Sequence, residues 1–405
     1  MSCSLKKGEI AIEFITVPRK GGDDYAALIL KKGYAAPRFV KLANHKEIAS
    51  VRRRQYYTTS KLYNLFWKPL EKELNGIANV YFSPAGIIFN VGIEYLPDDN
   101  GTVFCSRRNT YRLSSTKELV LHKTCSFQEG ILFGGIDYDA ELYPLSKTRP
   151  NSSIGNDSCD SPKLRCATIP SSFYYLPGTF EEVQKISAIL NNKKISNTLF
   201  SGKSGSETAL KNLSAAKADF LHIATHGFCF TEKNEGQSIT VDSIFRKAAC
   251  NDEIVAPLFE DKMLTRSGLI LAGANKSTGK SSIMGNVDDG ILYADEIADL
   301  NLNNIDLLVL SACQSGLGDI ASSEGVFGLQ RGFKLAGVHS IVMSMWEVDD
   351  EATKILMTEM YKNLTEGQSK RSAFIKAQNA LRTIEDGLFN DPDYWAAFVL
   401  LDGLE

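Results

Sequence analysis

Two short runs end in side chains able to do chemistry. Leu221-His222-Ile223-Ala224-Thr225-His226-Gly227 closes on an imidazole, and Leu308-Val309-Leu310-Ser311-Ala312-Cys313-Gln314-Ser315-Gly316 closes on a thiol. Each is apolar and partly β-branched before it reaches the reactive group, and glycine follows. An open parallel sheet delivers functional groups in this way, at the carboxyl ends of neighbouring strands. A free thiol of pKa about 8.5 is largely protonated near neutral pH, so it needs an imidazole or a helix amino terminus to become a nucleophile. His226 and Cys313 are therefore read as a base and a thiol nucleophile.

The residues beyond the thiol suggest how an acyl intermediate is held. Gln314-Ser315-Gly316-Leu317-Gly318 follows Cys313, and its glycines permit a tight turn with backbone amides facing the sulfur. Amides so directed stabilise the oxyanion of a tetrahedral intermediate. The second amide is assigned to Gly227, where the missing side chain lets a substrate carbonyl approach. Each residue has a plainer alternative, His226 as a capping histidine and Cys313 as a small core thiol. Their joint placement, on strands ending at one sheet edge, favours chemistry. His222 lies four residues upstream on the same strand face, deeper in the sheet, and is expected to be a satisfied core histidine.

A sheet must hold both groups, and the chain from Gly130 onward supplies one. Gly130-Ile131-Leu132-Phe133-Gly134-Gly135-Ile136 opens a regular alternation of strands and helices. Periodicity predicts helices from Thr179 to Leu190, Ser206 to Ala216, Glu324 to Ala336, Asp350 to Leu364 and Ser369 to Ile384. Strands are expected from Phe220 to His226, Gly268 to Ala272, Ile305 to Cys313 and Ser340 to Met345. Such alternation defines an α/β fold, a three-layer α/β/α sandwich with a mainly parallel sheet. The first third reads as strands, Glu9 to Ile15, Tyr25 to Leu30, Val80 to Pro84 and Ile87 to Phe89, with a helix from Lys61 to Leu74. It is poor in catalytic candidates, since His45 and His122 stand in polar, loop-like surroundings. Two long polar connections, Asp139 to Ser172 and Cys229 to Arg266, read as substrate-contact or processing loops, or as variable surface.

Composition sets the boundaries of this reading. The 405 residues suffice for two domains, and 43% hydrophobic with 23% charged residues is the balance of a soluble globular protein. A net charge of -3 gives no reason to expect a nucleic-acid partner. No apolar run of about 18 residues suggests a membrane span and the start of the chain carries no signal-like core, so a cytoplasmic location is expected. Eight cysteines include no Cys-x-x-Cys pair and no zinc-like spacing, so no metal and no cofactor are expected.

Five separated motifs resemble, in order and spacing, the CHAT domain of the caspase and separase group of cysteine peptidases. They are Thr225-His226-Gly227, Leu310 to Gly318, Glu324 to Arg331, Ser344-Met345-Trp346-Glu347-Val348-Asp349-Asp350 and Tyr394 to Leu400. The resemblance covers roughly 60 to 405 and is dense from 176. It implies a caspase-like sandwich in a separase-like layout, with a degenerate caspase-like domain at 1–124 and a catalytic peptidase domain at 125–405. It further implies His226 as general base, Cys313 as nucleophile, and the amides of Gly227 and Cys313 as the oxyanion hole. The implied partner is a protein or peptide substrate, with a regulatory protein as a second candidate. The repeats common in the family are missing from this sequence.

Trp346 to Asp350 resembles a separase element near the primary specificity pocket. An aspartate at a pocket base would favour a basic P1 residue through a charge-assisted pair; equally, Asp349 or Asp350 can cap the helix that follows. Trp346, Asp349 and Asp350 are thus candidate substrate-binding residues. Ala274-Asn275-Lys276-Ser277-Thr278-Gly279-Lys280-Ser281 meets the permissive form of a phosphate-binding loop, but the next residues are poor helix formers, and a surface loop is the preferred reading. The functional expectation is a cysteine endopeptidase acting in regulated proteolysis. The alternative is a catalytically silent caspase-like scaffold that binds a partner.

Overall fold

The computed structural model describes residues 4–20, 22–121, 127–141, 172–214, 217–229, 264, 267–277, 288–311, 325–346 and 348–404. Cys313 and the glycine-rich run after it lie outside the described residues, as do Glu347, His122 and most of both long polar connections.

The strands are β1 Glu9–Val17, β2 Asp24–Lys31, β3 Arg38–Asn44, β4 Asn79–Ser83, β5 Asn109–Arg112, β6 Glu129–Ile136, β7 Ser196–Gly202 and β8 Phe220–Ile223. They continue with β9 Gly227–Cys229, β10 Ser267–Ile270, β11 Ile291–Tyr293, β12 Leu307–Leu310, β13 Ser340–Ser344 and β14 Phe398–Leu401. One sheet of eleven strands runs in the order β3-β2-β1-β4-β5-β14-β13-β12-β8-β6-β7. Among the described residues, β3/β2, β2/β1 and β14/β13 pair antiparallel and the other joins are parallel. The mainly parallel α/β sheet expected from the alternation is present. Because β14 opposes β13 yet runs with β5, the parallel strands of the first part point opposite to those of the second.

Every residue of β8, β12 and β13 is buried, as in a sheet covered on both faces. Helix Asp350–Thr365 packs on both Pro177–Asn192 and Lys370–Thr383, and the shorter Ala294–Ala298 packs on Gly325–Leu335. Gly134 permits helix Pro177–Asn192 to approach β6 closely: a Cβ there would stand 2.7 Å from the Thr179 carbonyl. Apolar residues gather in one large core around β6, β8, β12 and β13, a second under β1, β2 and β4, and a small third around β10 and β11.

Three local expectations change. The helix expected from Lys61 to Leu74 breaks into Lys61–Phe66, a 3-10 turn Lys68–Leu70 and Glu71–Leu74. Pro69 lacks an N–H and its ring clashes with the preceding turn. Ile87 to Phe89 lies in a 3-10 helix, Gly86–Asn90, rather than a strand. The strand expected from Phe220 to His226 ends at Ile223 in the main sheet, and β9, starting at Gly227, joins β10 and β11 in a separate antiparallel sheet. The apolar run at 268–272 therefore belongs to this small sheet, since hydrophobicity alone does not say which sheet buries a strand.

The seam between β5 and β14 is tied by polar groups. Arg112 meets Glu94 through two 2.9 Å bonds, both residues at most 5% exposed, and its Nη2 also donates to Val91 O at 2.6 Å. Asp402, in the left-handed region at φ 53°, accepts from Ser114 N–H at 2.8 Å, donates its own N–H to Arg112 O at 2.9 Å, and lies 2.9 Å from Lys334 Nζ.

Candidate active site

His226 stands between the two sheets, three residues beyond the end of β8 and immediately before β9, and is 4% exposed. Its Nε2 lies 2.9 Å from the carbonyl oxygen of Tyr174. A carbonyl can only accept, so Nε2 carries the hydrogen and Nδ1 is the basic nitrogen of the neutral ring. Aromatic rings fix the imidazole plane: Tyr174 at 5.0 Å edge-on, Tyr138 at 5.1 Å and Phe173 at 5.7 Å between centroids.

A chain of hydrogen bonds sets the backbone here. Thr225 Oγ1 donates to Ile270 O at 2.5 Å, which leaves Tyr138 Oη to donate to Thr225 Oγ1 at 2.9 Å. The His226 N–H in turn bonds to the Tyr138 hydroxyl, and burial pushes the phenol well above its ordinary range. Ile270 N–H donates to His226 O at 2.9 Å while Gly227 faces Leu269. That is the pattern of a residue pair not directly hydrogen-bonded, and it turns the Gly227 N–H away from β10.

The β8 and β12 registers align Ile223 with Leu310, and Ser311 N–H donates to Ile223 O at 2.9 Å. His226 follows Ile223 by three residues, and in sequence Cys313 follows Leu310 by three.

His222 is fully buried on β8, its Nε2 2.8 Å from Glu182 Oε1 and its Nδ1 3.3 Å from Tyr361 Oη. The first contact is close but off the hydrogen-bond direction, since neither atom makes a well-aligned bond. His222 is thus enclosed by two helices and set apart from the His226 ring's own partners.

Asp349 is the N-cap of helix Asp350–Thr365, accepting from Glu351 N–H at 3.0 Å and Ala352 N–H at 3.1 Å. Asp350, exposed, lies against Gly178 at the start of helix Pro177–Asn192, just beyond the Tyr174 segment. Trp346 is 7% exposed and faces the first part of the chain. Its ring is 5.8 Å from that of Tyr57 and 5.1 Å from Arg53 Cζ, and its Nε1 donates to Asp393 O at 3.0 Å. The phosphate-loop run begins as a short helix, Ala274–Ser277, and Gly279, Lys280 and Ser281 lie outside the described residues.

Sequence reasoning missed Tyr138, Phe173 and Tyr174. The one available signal was the aromatic Phe173-Tyr174-Tyr175 run closing a long polar connection. Among the described residues no group of His, Cys, Asp and Glu is arranged to hold a metal, and no helix is long and apolar enough to cross a membrane.

The CHAT domain family model matches residues 57–403. The chain therefore belongs to the CHAT domain family, a caspase-like, peptidase-related family. Among curated proteins it is similar to tetratricopeptide repeat protein 28 of Mus musculus, 28% identical over 111 residues. The Homo sapiens protein of the same name is 29% identical over 111 residues. These segments span 27% of this chain and 4% of those proteins, so the chain covers a small part of their length. Among solved structures it is similar to the Arg-specific cysteine proteinase gingipain R, with 10% identity, a TM-score of 0.43, and coverage of 82% of this chain and 65% of that one. The complex of Porphyromonas gingivalis gingipain pro- and mature domains gives 10% identity and a TM-score of 0.42, covering 88% and 70%.

Proposed function

We propose that this protein is a cysteine endopeptidase using a Cys313–His226 dyad, within a catalytic domain at 125–405 that follows a degenerate caspase-like domain at 1–124. The observation that carries the reading is the β8/β12 register together with the oriented imidazole: equal chain lengths lead from paired strand ends to His226 and to Cys313.

In this reaction His226 Nδ1 takes the thiol proton, and the Cys313 sulfur attacks the scissile carbonyl carbon. The oxyanion that forms is held by the N–H groups of Gly227 and Cys313. As it collapses, the C–N bond breaks and the imidazolium gives its proton to the leaving amine. Water then attacks the thioester, losing its proton to His226, and the C–S bond breaks to release the acid. The Tyr174 carbonyl supports the charged imidazolium by keeping Nε2–H paired throughout. The substrate is a protein, and a basic P1 residue is assigned to the neighbourhood of Trp346 and Asp350, because Asp349 already caps a helix.

Purified wild type, Cys313→Ala and His226→Ala, assayed on a proteome-derived peptide library with mass-spectrometric mapping of new termini, test the proposal. Both variants should lose turnover while keeping the wild-type circular dichroism. Wild-type cleavage by Cys313→Ala would refute Cys313 as the nucleophile, and no cleavage by a wild type whose Cys313 alkylates no faster than its other thiols would favour the silent scaffold.

A further inference from the structure

A cavity of about 370 Å³ opens at the seam of the long sheet, remote in sequence and in lining from His226. One wall comes from β5 and the segment around Glu94 to Ser106, the other from helix Lys370–Thr383 and from Trp395. Three arginines line it, of which Arg112 is engaged by Glu94. Arg371 Cζ lies 4.9 Å from the Tyr111 ring centre, and Arg382 Cζ lies 4.4 Å from that of Trp395. Their Nε atoms are tied, Arg371 to Thr110 O at 2.9 Å and Arg382 to Asn390 Oδ1 at 3.4 Å.

These ties leave the Nη ends, the fork that recognises anions, without a protein acceptor among the described residues, and neither arginine has a carboxylate partner there. The one carboxylate in the wall, Glu94, is engaged by Arg112 through two bonds. The lining is therefore net cationic while its body is aromatic and apolar, with Tyr95, Phe374 and Trp395 each at most 5% exposed. Burial, and after it the Glu94 charge, push the Cys105 thiol on the same wall up to about 12, while the Arg371 and Arg382 charges reach it and oppose the rise. Stacked arginines are preorganised for bidentate contact with a carboxylate or phosphate.

We infer that this cavity is a binding site for a small organic anion, an aromatic or apolar body bearing one phosphate or carboxylate head. The body rests among Tyr95, Phe374 and Trp395, and the head is held by the Nη groups of Arg371 and Arg382. Since the walls belong to both parts of the sheet, an occupant bridges the seam.

Isothermal titration of the full chain with phenyl phosphate, 3-phenylpropionate and the neutral 3-phenylpropan-1-ol tests this, with fluorescence recorded in parallel to detect a change at Trp395. Saturable binding of at least one anion is expected, with the alcohol about tenfold weaker or more. The better anion identifies the head group. Arg371→Gln and Arg382→Gln should each weaken it by about tenfold, and added salt should weaken it further. Equal binding of the alcohol, unchanged affinity in both variants, or no saturable signal up to about 10 mM would overturn the inference. Should Arg371→Gln unfold through loss of its tie to Thr110, the anion-against-alcohol comparison on the wild type still decides. None of these readouts depends on peptidase activity.

Discussion

Glu207 opens a short helix, Glu207–Lys211, and is 2% exposed. One carboxyl oxygen accepts from the N–H groups of Asp289 at 3.0 Å and Gly290 at 3.1 Å, and the other from Lys211 Nζ at 2.5 Å. It thereby pins the entry to β11, in the small sheet that begins with the residue after His226. Gly290, at φ 78°, makes the turn possible, since a Cβ there would stand 2.6 Å from Ala272 O. Burial raises the carboxyl from 4.5 to about 7; Lys211 opposes this, and the charges of Asp288 and Asp289 add to it. The folded state thus holds a proton that the unfolded state releases above the ordinary carboxylate range. The associated stability is complete below about 4.5 and is lost as pH rises through about 7. At about 1.4 kcal/mol per pH unit of displacement, the loss across this window is on the order of 3 kcal/mol. Urea unfolding of wild type and Glu207→Gln at several pH values between about 5 and about 8 measures it. Glutamine keeps an acceptor for the two amides but cannot titrate, so its stability curve should be flatter by roughly 2 to 3 kcal/mol over that span. Its absolute stability is not the test, because its amide group meets Lys211 unfavourably. Parallel curves for the two proteins would refute the linkage.

Replacing Glu94 by Gln leaves Arg112 buried with half its bidentate partner; a loss of about 3 to 5 kcal/mol in urea unfolding is expected, and a change under about 1 kcal/mol would mean that solvent already reaches the pair. Tyr138→Phe removes the acceptor of the His226 N–H and should cost about 1 to 3 kcal/mol, with a fall in peptidase kcat larger than any change in KM. Asp349→Ala should lose about 1 kcal/mol as a missing cap without altering P1 preference, whereas Asp350→Ala should selectively lose substrates with Arg or Lys at P1; a P1 scan showing unchanged selectivity in both removes the charged pocket.

Local pattern carried a good part of this architecture. Helices Pro177–Asn192, Gly325–Leu335, Asp350–Thr365 and Lys370–Thr383 fall within about two residues of their periodic runs, because an amphipathic repeat and its caps are written in consecutive positions. Asp349 as a cap was legible for the same reason, and so was the α/β alternation, since continuous apolar runs between helices leave few other ways to bury a strand. Residues from 312 to 324 lie outside the described region, so the thiol is known by its sequence position, three residues after Leu310, and the structure adds the pairing of Leu310 with Ile223.

What only the tertiary structure decided are relations between distant segments. No periodicity announces that the Tyr174 carbonyl meets His226 Nε2, that Tyr138 holds the amide of the same residue, or that the strand after His226 leaves the main sheet for another. Nor does it announce that Arg371 and Arg382 share a cavity with Thr110 and Glu94. Side-chain pattern along a strand or helix states how much apolar surface must be hidden and on which face. Which partner hides it, and which backbone carbonyl is then left facing a ring nitrogen, follows from closing the chain on itself, where hydrogen bonds between residues far apart in sequence must all be satisfied at once.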